Sequence, residues 1–160
     1  MYVRGDKGNF VSLSFFKEKQ TMVVQSYIFF NGRCEEALEF YKKALGATVG
    51  TLMRFKDSPE PPKEGCQPPG TENKIMHAQF TVGNTTILAS DGRCEGTSKF
   101  DGFAQAISVD SEAEAGRYFT ALSEGGQVHM PLTKTFFSPK FGMLADKFGM
   151  MWMIMVRPAG

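Results

Sequence analysis

Apolar positions at Ala37, Phe40, Tyr41, Ala44 and Leu45, spaced three and four apart among Glu35, Glu36, Glu39, Lys42 and Lys43, predict one amphipathic helix over Cys34–Leu45. Asn31 lies just upstream, the two glutamates suit the positive helix end, and Gly46 follows as the stop. The run Val23–Phe30 before it is rich in β-branched and aromatic residues and reads as a buried strand. Thr48–Phe55, Ile75–Val82 and Thr85–Ser90 read as three more strands, with Gly83-Asn84 as a two-residue hairpin turn. Between them Lys56–Lys74 holds Pro59, Pro61, Pro62, Pro68 and Pro69, which predicts a long exposed loop.

The same order then recurs. Phe103–Val109 is strand-like, and Ala115, Tyr118, Phe119 and Leu122 repeat the helical spacing at a constant offset, ending at Gly125-Gly126. Gln127–Leu132, Gly142–Asp146 and Met150–Val156 complete a second set of strands, the last two joined by a turn at Lys147–Gly149. The expected fold class is therefore α+β, a tandem pair of βαβββ modules built by duplication inside one domain.

With 160 residues, 42% hydrophobic and 22% charged, the chain is long enough for one domain with its own core. Eighteen basic against 17 acidic residues give a formal charge of +1, which offers no field to recruit nucleic acid. The longest apolar run, Met150–Val156, falls far short of the roughly 20 residues of a membrane-spanning helix. Cys34, Cys66 and Cys94 are odd in number and lack C-x-x-C spacing, so neither a disulfide framework nor a cysteine zinc site is expected, and a reducing cytoplasm fits.

The duplicated module with Asn31-Gly32-Arg33-Cys34-Glu35-Glu36-Ala37-Leu38-Glu39-Phe40-Tyr41 resembles the vicinal oxygen chelate superfamily, which holds glyoxalase I, extradiol dioxygenases and the fosfomycin- and bleomycin-resistance proteins. Tyr27–Gly46, Asp101-Gly102-Phe103, Leu144-Ala145-Asp146-Lys147-Phe148-Gly149 and Trp152-Met153-Ile154 look like its PhnB-like branch. The likeness runs from Val23 to Arg157. Residues 1–21 lie outside it and are expected to be a leader that is peripheral or vector-derived; residues 22–160 form a single glyoxalase-like domain, with module one at 22–91 and module two at 101–157. The resemblance implies a curved, partly closed mixed sheet, a cleft between modules, and metal ligands from the first and fourth strands of each module. Those strands offer Gln25, Ser26, Ser90 and Gln105, with no His, Asp or Glu, so no metal and no cofactor is expected. Some members of the branch carry a ubiquinone methyltransferase designation, but no G-x-G-x-x-G motif occurs here to suit a methyl donor.

Candidate ligand-binding residues are Ser90, Gln105, Trp152 and His77, with Asp91 at the rim of the expected cleft. They supply the usual mixture of apolar surface and a few placed polar groups. His77 is also the candidate catalytic residue; period-2 alternation puts it with Ile75, Gln79 and Thr81, opposite an apolar set of Met76, Ala78, Phe80 and Val82. His129 is expected to be structural. Cys34 sits at a helix start, which favours a thiolate, but Glu35 and Glu36 oppose it; Cys66 and Cys94 are bystanders. Phe136 and Phe137 either cap the pocket or fill the core, and the ten methionines either wall the pocket or fill the core. The function expected is small-molecule binding by a homodimer with no nucleic-acid or membrane partner; the alternative is a glyoxalase- or dioxygenase-type lyase or isomerase in the inter-module cleft.

Overall fold

The computed structural model describes residues 2–4, 10–12, 22–60 and 68–158. Its elements are β1 (Tyr2–Arg4), β2 (Phe10–Ser12), β3 (Tyr27–Phe29), α1 (Cys34–Leu45), β4 (Thr48–Arg54), a 3₁₀ turn (Phe55–Asp57), β5 (Ile75–Val82), β6 (Thr85–Ser90), β7 (Gln105–Val109), α2 (Glu112–Ser123), β8 (Gln127–Thr133), β9 (Phe141–Ala145) and β10 (Met151–Val156). Among the described residues, β1 and β2 form a two-stranded sheet of their own. The remaining strands form two four-stranded sheets, ordered β3-β6-β5-β4 and β7-β10-β9-β8. In each, the first strand runs parallel to the fourth and the other pairs are antiparallel. This is the duplicated βαβββ topology, although the sheets stay separate and neither closes.

Helix boundaries follow the sequence signals, with one exception. Gly46 closes α1 in the left-handed conformation, at φ 67°, and its N–H donates back to Lys42 O. Ser111 caps α2, accepting from Glu114 N at 3.2 Å. The start of α1, however, is not capped by Asn31. The Asp91 carboxylate, arriving from the end of β6, accepts from Cys34 N at 2.6 Å and from Ile75 N at 2.7 Å. One buried side chain thus ties α1, β5 and β6 together.

Helix α1 packs on the inner side of the first sheet and α2 on that of the second, and the two helices touch. Tyr41, fully buried, stacks on Phe80 of the first sheet at 5.7 Å and meets Trp152 of the second edge-on at 5.6 Å. Asp146, at the end of β9 and 3% exposed, binds this junction: Oδ2 accepts from Tyr41 Oη at 2.8 Å and Trp152 Nε1 at 2.9 Å, and Oδ1 from Phe148 N and Met150 N at 2.9 and 3.1 Å. Arg33 and Lys147 seal the same seam from solvent, both lying over the Phe148 ring. Each sheet therefore buries its inner face against one shared core and turns its other face away from it.

Strand β5 departs from simple alternation. Met53 pairs with His77 and Arg54 with Ile75, so Met76 is skipped. That β-bulge puts Ile75 in the core with Ala78 and Phe80, and brings Met76 and His77 together onto the outward face. Strict alternation had paired Ile75 with His77 and sent Met76 inward; the extra residue overturns both placements.

Candidate functional site

The outward face of sheet one carries a shallow, open depression of about 590 Å³ lined by Tyr27, Phe29, Asn31, Phe55, Met76, Ser90, Gly92, Arg93 and Glu95. Its aromatic residues are held by β3, where Ile28 points inward at 3% exposure while Tyr27 and Phe29 stand outward at 40% and 54%. Their rings lie 5.0 Å apart. Tyr27 reaches across β6 to β5, where its hydroxyl meets His77 Nδ1 at 3.2 Å. Met53, paired with His77 on β4, extends the thioether part of the floor. Ser90 shares the face through its pairing with Phe29, but its hydroxyl accepts from Gly92 N at 3.1 Å and it is 3% exposed, so it shapes the turn at the rim.

The four sequence-derived ligand residues therefore divide between two surfaces. His77 and Ser90 lie on the outward face of sheet one. Gln105 and Trp152, which are register partners on β7 and β10, lie on the inner side of sheet two and line a groove of about 450 Å³ against the β5–β6 hairpin. Gln105 Nε2 donates to Ser26 Oγ at 3.3 Å across the edges of the two sheets. Trp152 is 3% exposed and its only polar atom is engaged by Asp146. Asp91 is a buried cap, as above.

Cys34 is wholly buried, and burial, reinforced by the Asp91 and Glu35 carboxylates, pushes its thiol pKa far up, which keeps it protonated. Cys94 is shifted the same way by burial. Cys66 falls outside the described residues. His129 is exposed on the edge strand β8, away from any core role. Phe136 is fully exposed with its ring edge-on to Phe137 at 5.1 Å, and Phe137, 43% exposed, rests in turn on the Phe141 ring at 5.1 Å.

The methionines divide by strand register. Met150 is buried in the core, whereas Met151, Met153 and Met155 alternate with the inward Trp152, Ile154 and Val156 and so face outward. Met143 pairs with both Met153 and Met130, which makes a thioether row across three strands. The outward face of sheet two is thus a methionine surface.

Tyr27, Phe29 and Met76 escaped the sequence reading. The available signal was β3 itself, whose apolar residues occupy both faces: a strand with Ile28 and Phe30 inward and Tyr27 and Phe29 outward must find cover on two sides.

The residue family model described as 3-demethylubiquinone-9 3-methyltransferase matches residues 22–155. Among solved structures, protein PA1353 from Pseudomonas aeruginosa is 40% identical with a TM-score of 0.74, covering 86% of this chain and 98% of its own. The PhnB protein from Bacillus cereus is 26% identical with a TM-score of 0.70, covering 84% and 99%. At the level of fold alone, a glyoxylase/bleomycin resistance protein/dioxygenase domain from Frankia sp. EAN1pec superposes with a TM-score of 0.62 at 14% identity, over 86% and 98% of the two chains.

Two groups implied by these relationships can be tested against the residues present. Outward positions on the first and fourth strands of the modules are Tyr27 and Phe29, Leu88 and Ser90, Ala106 and Ser108, and Met151, Met153 and Met155. Aromatic, hydroxyl and thioether groups are not the ligand set of a hard or borderline divalent cation. A nucleotide-bearing methyl donor fares no better. The strand-to-helix connections hold Asn31-Gly32-Arg33 and Asp110-Ser111 in place of a glycine-rich loop, and the Asp91 carboxylate already occupies the first N–H of α1. Matched over most of its length by the family model and by the PhnB fold, the chain belongs to the PhnB-like family, described as 3-demethylubiquinone-9 3-methyltransferase, and shares the fold of a glyoxylase/bleomycin resistance protein/dioxygenase domain.

Proposed function

We propose that this protein binds a planar aromatic molecule bearing a hydrogen-bonding oxygen on the outward face of sheet one, as a homodimer and without a divalent metal. The observation that carries this reading is the Tyr27–His77 pair, a hydrogen-bonded couple set in a face of Phe29, Phe55, Met53 and Met76. Flat aromatic and thioether surfaces favour a π-rich guest, and the couple supplies a donor and an acceptor to fix its orientation. Among the described lining residues, charge sits on Arg93 and Glu95. Gln105 and Trp152 then serve the architecture that joins the modules.

The test is calorimetric titration with 2-naphthol against naphthalene-2-carboxylate. The expected result is preference for the naphthol and about tenfold weaker binding in each of Tyr27→Phe and Phe29→Ala, the loss of one hydrogen bond or one stacking surface. Equal affinity in both variants, or no binding of either probe, would refute it.

One observation favours a second reading, catalysis by the same face. With Nδ1 engaged by Tyr27, the other imidazole nitrogen has no partner among the described residues and is available for proton transfer, as a lyase or isomerase requires. A pH-dependent turnover lost in His77→Gln, with probe affinity retained, would select it over binding alone.

A further inference from the structure

Asn31 stands just before α1, yet it makes no cap, because the Asp91 carboxylate already takes the first N–H of the helix. Its half-buried carboxamide has no hydrogen-bond partner among the described residues, and it lines the depression on sheet one beside Phe29 and Gly92. The backbone beneath it is fixed. Asn31 and Gly32 both take positive φ, 46° and 90°, in a turn that Arg33 N closes by donating to Phe30 O at 3.1 Å, and Lys74 Nζ donates to Gly32 O at 2.6 Å. Asparagine tolerates this left-handed conformation, so the amide is held in place by a turn that makes no use of it.

The surroundings leave room for that amide. A Cβ on Gly92 would lie 3.4 Å from Asn31 Oδ1 and 3.2 Å from the Phe29 ring, so any larger residue there would crowd both. Phe29 thus sits between two polar groups. His77 follows the Ala78–Ala89 pair and stands level with Ser90, the partner of Phe29, whereas Gly92, beside the Asn31 amide, is two residues further on. Two residues span about 5–7 Å of chain, which is close to the long axis of a small fused aromatic.

We propose that Asn31 is the second anchor of this face, and that the ligand is an aromatic with an oxygen at each end of its long axis. One oxygen meets the Tyr27–His77 couple, the other meets the Asn31 amide, and the ring lies over Phe29 between them. A carboxamide both donates and accepts, so it suits a hydroxyl or a carbonyl oxygen alike. Arg93 and Glu95 together give the rim no net charge, which favours a neutral oxygen over a carboxylate at that end. The inference rests on the reading of the sheet-one face as a ligand surface.

The experiment is calorimetric titration of the full chain with 2-naphthol, naphthalene-2,6-diol and naphthalene-2,3-diol. The 2,6-diol is expected to bind about tenfold tighter than 2-naphthol, the gain of one hydrogen bond to an amide already in position. Asn31→Gly keeps the positive φ while removing the amide, and it should lower 2,6-diol affinity to that of 2-naphthol. The 2,3-diol, with both oxygens at one end, has no such gain to lose. Tyr27→Phe should weaken 2-naphthol and the 2,6-diol by the same factor and so preserve their ratio. In the parent protein, the side-chain NH₂ resonances of Asn31 should shift with the 2,6-diol and not with 2-naphthol, a readout that needs no variant to fold. Equal binding of 2-naphthol and the 2,6-diol, a 2,6-diol advantage that survives Asn31→Gly, or an unmoved Asn31 amide would overturn the second anchor. If 2-naphthol depends on Tyr27 while the 2,6-diol gains nothing, the second anchor alone falls; if no probe binds, the ligand reading of the face falls with it.

Discussion

Asp146→Asn changes almost no volume and so isolates the charge and acceptor pattern that joins the two modules. Four donors converge on this carboxylate, and three of them, Trp152 Nε1–H and the N–H groups of Phe148 and Met150, can never accept. If the amide nitrogen takes the Oδ1 position it faces two backbone N–H groups; at Oδ2 it faces Trp152, and Tyr41 can rotate its hydroxyl to accept. The second orientation is cheaper and still leaves one buried N–H without a partner. Losing charge-assisted bonds worth about 1.5–3 kcal/mol each, with a stranded donor costing about 1–3 kcal/mol, places the penalty near 3–5 kcal/mol. Tyr41→Phe removes one donor and leaves three, so about 1–2 kcal/mol is expected. Urea unfolding followed by far-UV circular dichroism measures both, and the double variant should cost less than the sum because the two groups share one network. A cost below about 1 kcal/mol for Asp146→Asn, at unchanged denaturant slope, would show that this carboxylate does not hold the modules together.

Alkaline pH should destabilise the fold in a defined way. Burial, with Asp91 and Asp146 nearby, raises the pKa of the Cys34 thiol and the Tyr41 phenol, so both stay neutral when folded but ionise near pH 9 and 10 when unfolded. Their stabilising contribution is complete below about pH 8 and falls as pH rises, by about 1.4 kcal/mol per pH unit per group; Cys34→Ala combined with Tyr41→Phe should flatten that slope, and an unchanged slope would contradict the assignment. Cys34 should react with iodoacetamide at neutral pH only through unfolding, so a labelling rate that ignores stabilising co-solvent would argue for direct access. Gly142→Ala should cost about 1–3 kcal/mol in thermal or urea unfolding, because a Cβ there would lie 2.7 Å from the Phe119 ring and 3.1 Å from Met130 O; a neutral result would mean α2 shifts freely on sheet two.

Much of the architecture was readable from periodicity. Both helices, their glycine stops and the repeated strand order emerge from local spacing, because each is governed by residues within a few positions of one another. What periodicity cannot read is a contact that spans modules. The cap on α1 comes from Asp91, 57 residues away, and Trp152 reads equally well as a pocket residue until Asp146 and Tyr41 are seen to enclose it. The bulge in β5 is a second case. Alternation assigned Met76 to the core and Ile75 to the surface, and only the pairing with β4 shows one residue passed over. His77 was selected for its chemistry, but its partner Tyr27 lies two strands away in the sheet, a neighbour that sequence order conceals.

The central claim, that the outward face of sheet one is the ligand surface, is tested most directly by methyl NMR on protein labelled at the methionine methyl groups and titrated with 2-naphthol. The methionines report each candidate surface separately: Met53 and Met76 on the aromatic face, Met143 and Met153 on the face of sheet two, Met150 in the core. The account predicts that Met76 and Met53 shift at the lowest probe concentrations, that Tyr27→Phe weakens the response, and that Met150 and the Trp152 indole do not move. Saturable shifts centred on the Gln105–Trp152 groove, with Met76 and Met53 unchanged, would contradict it.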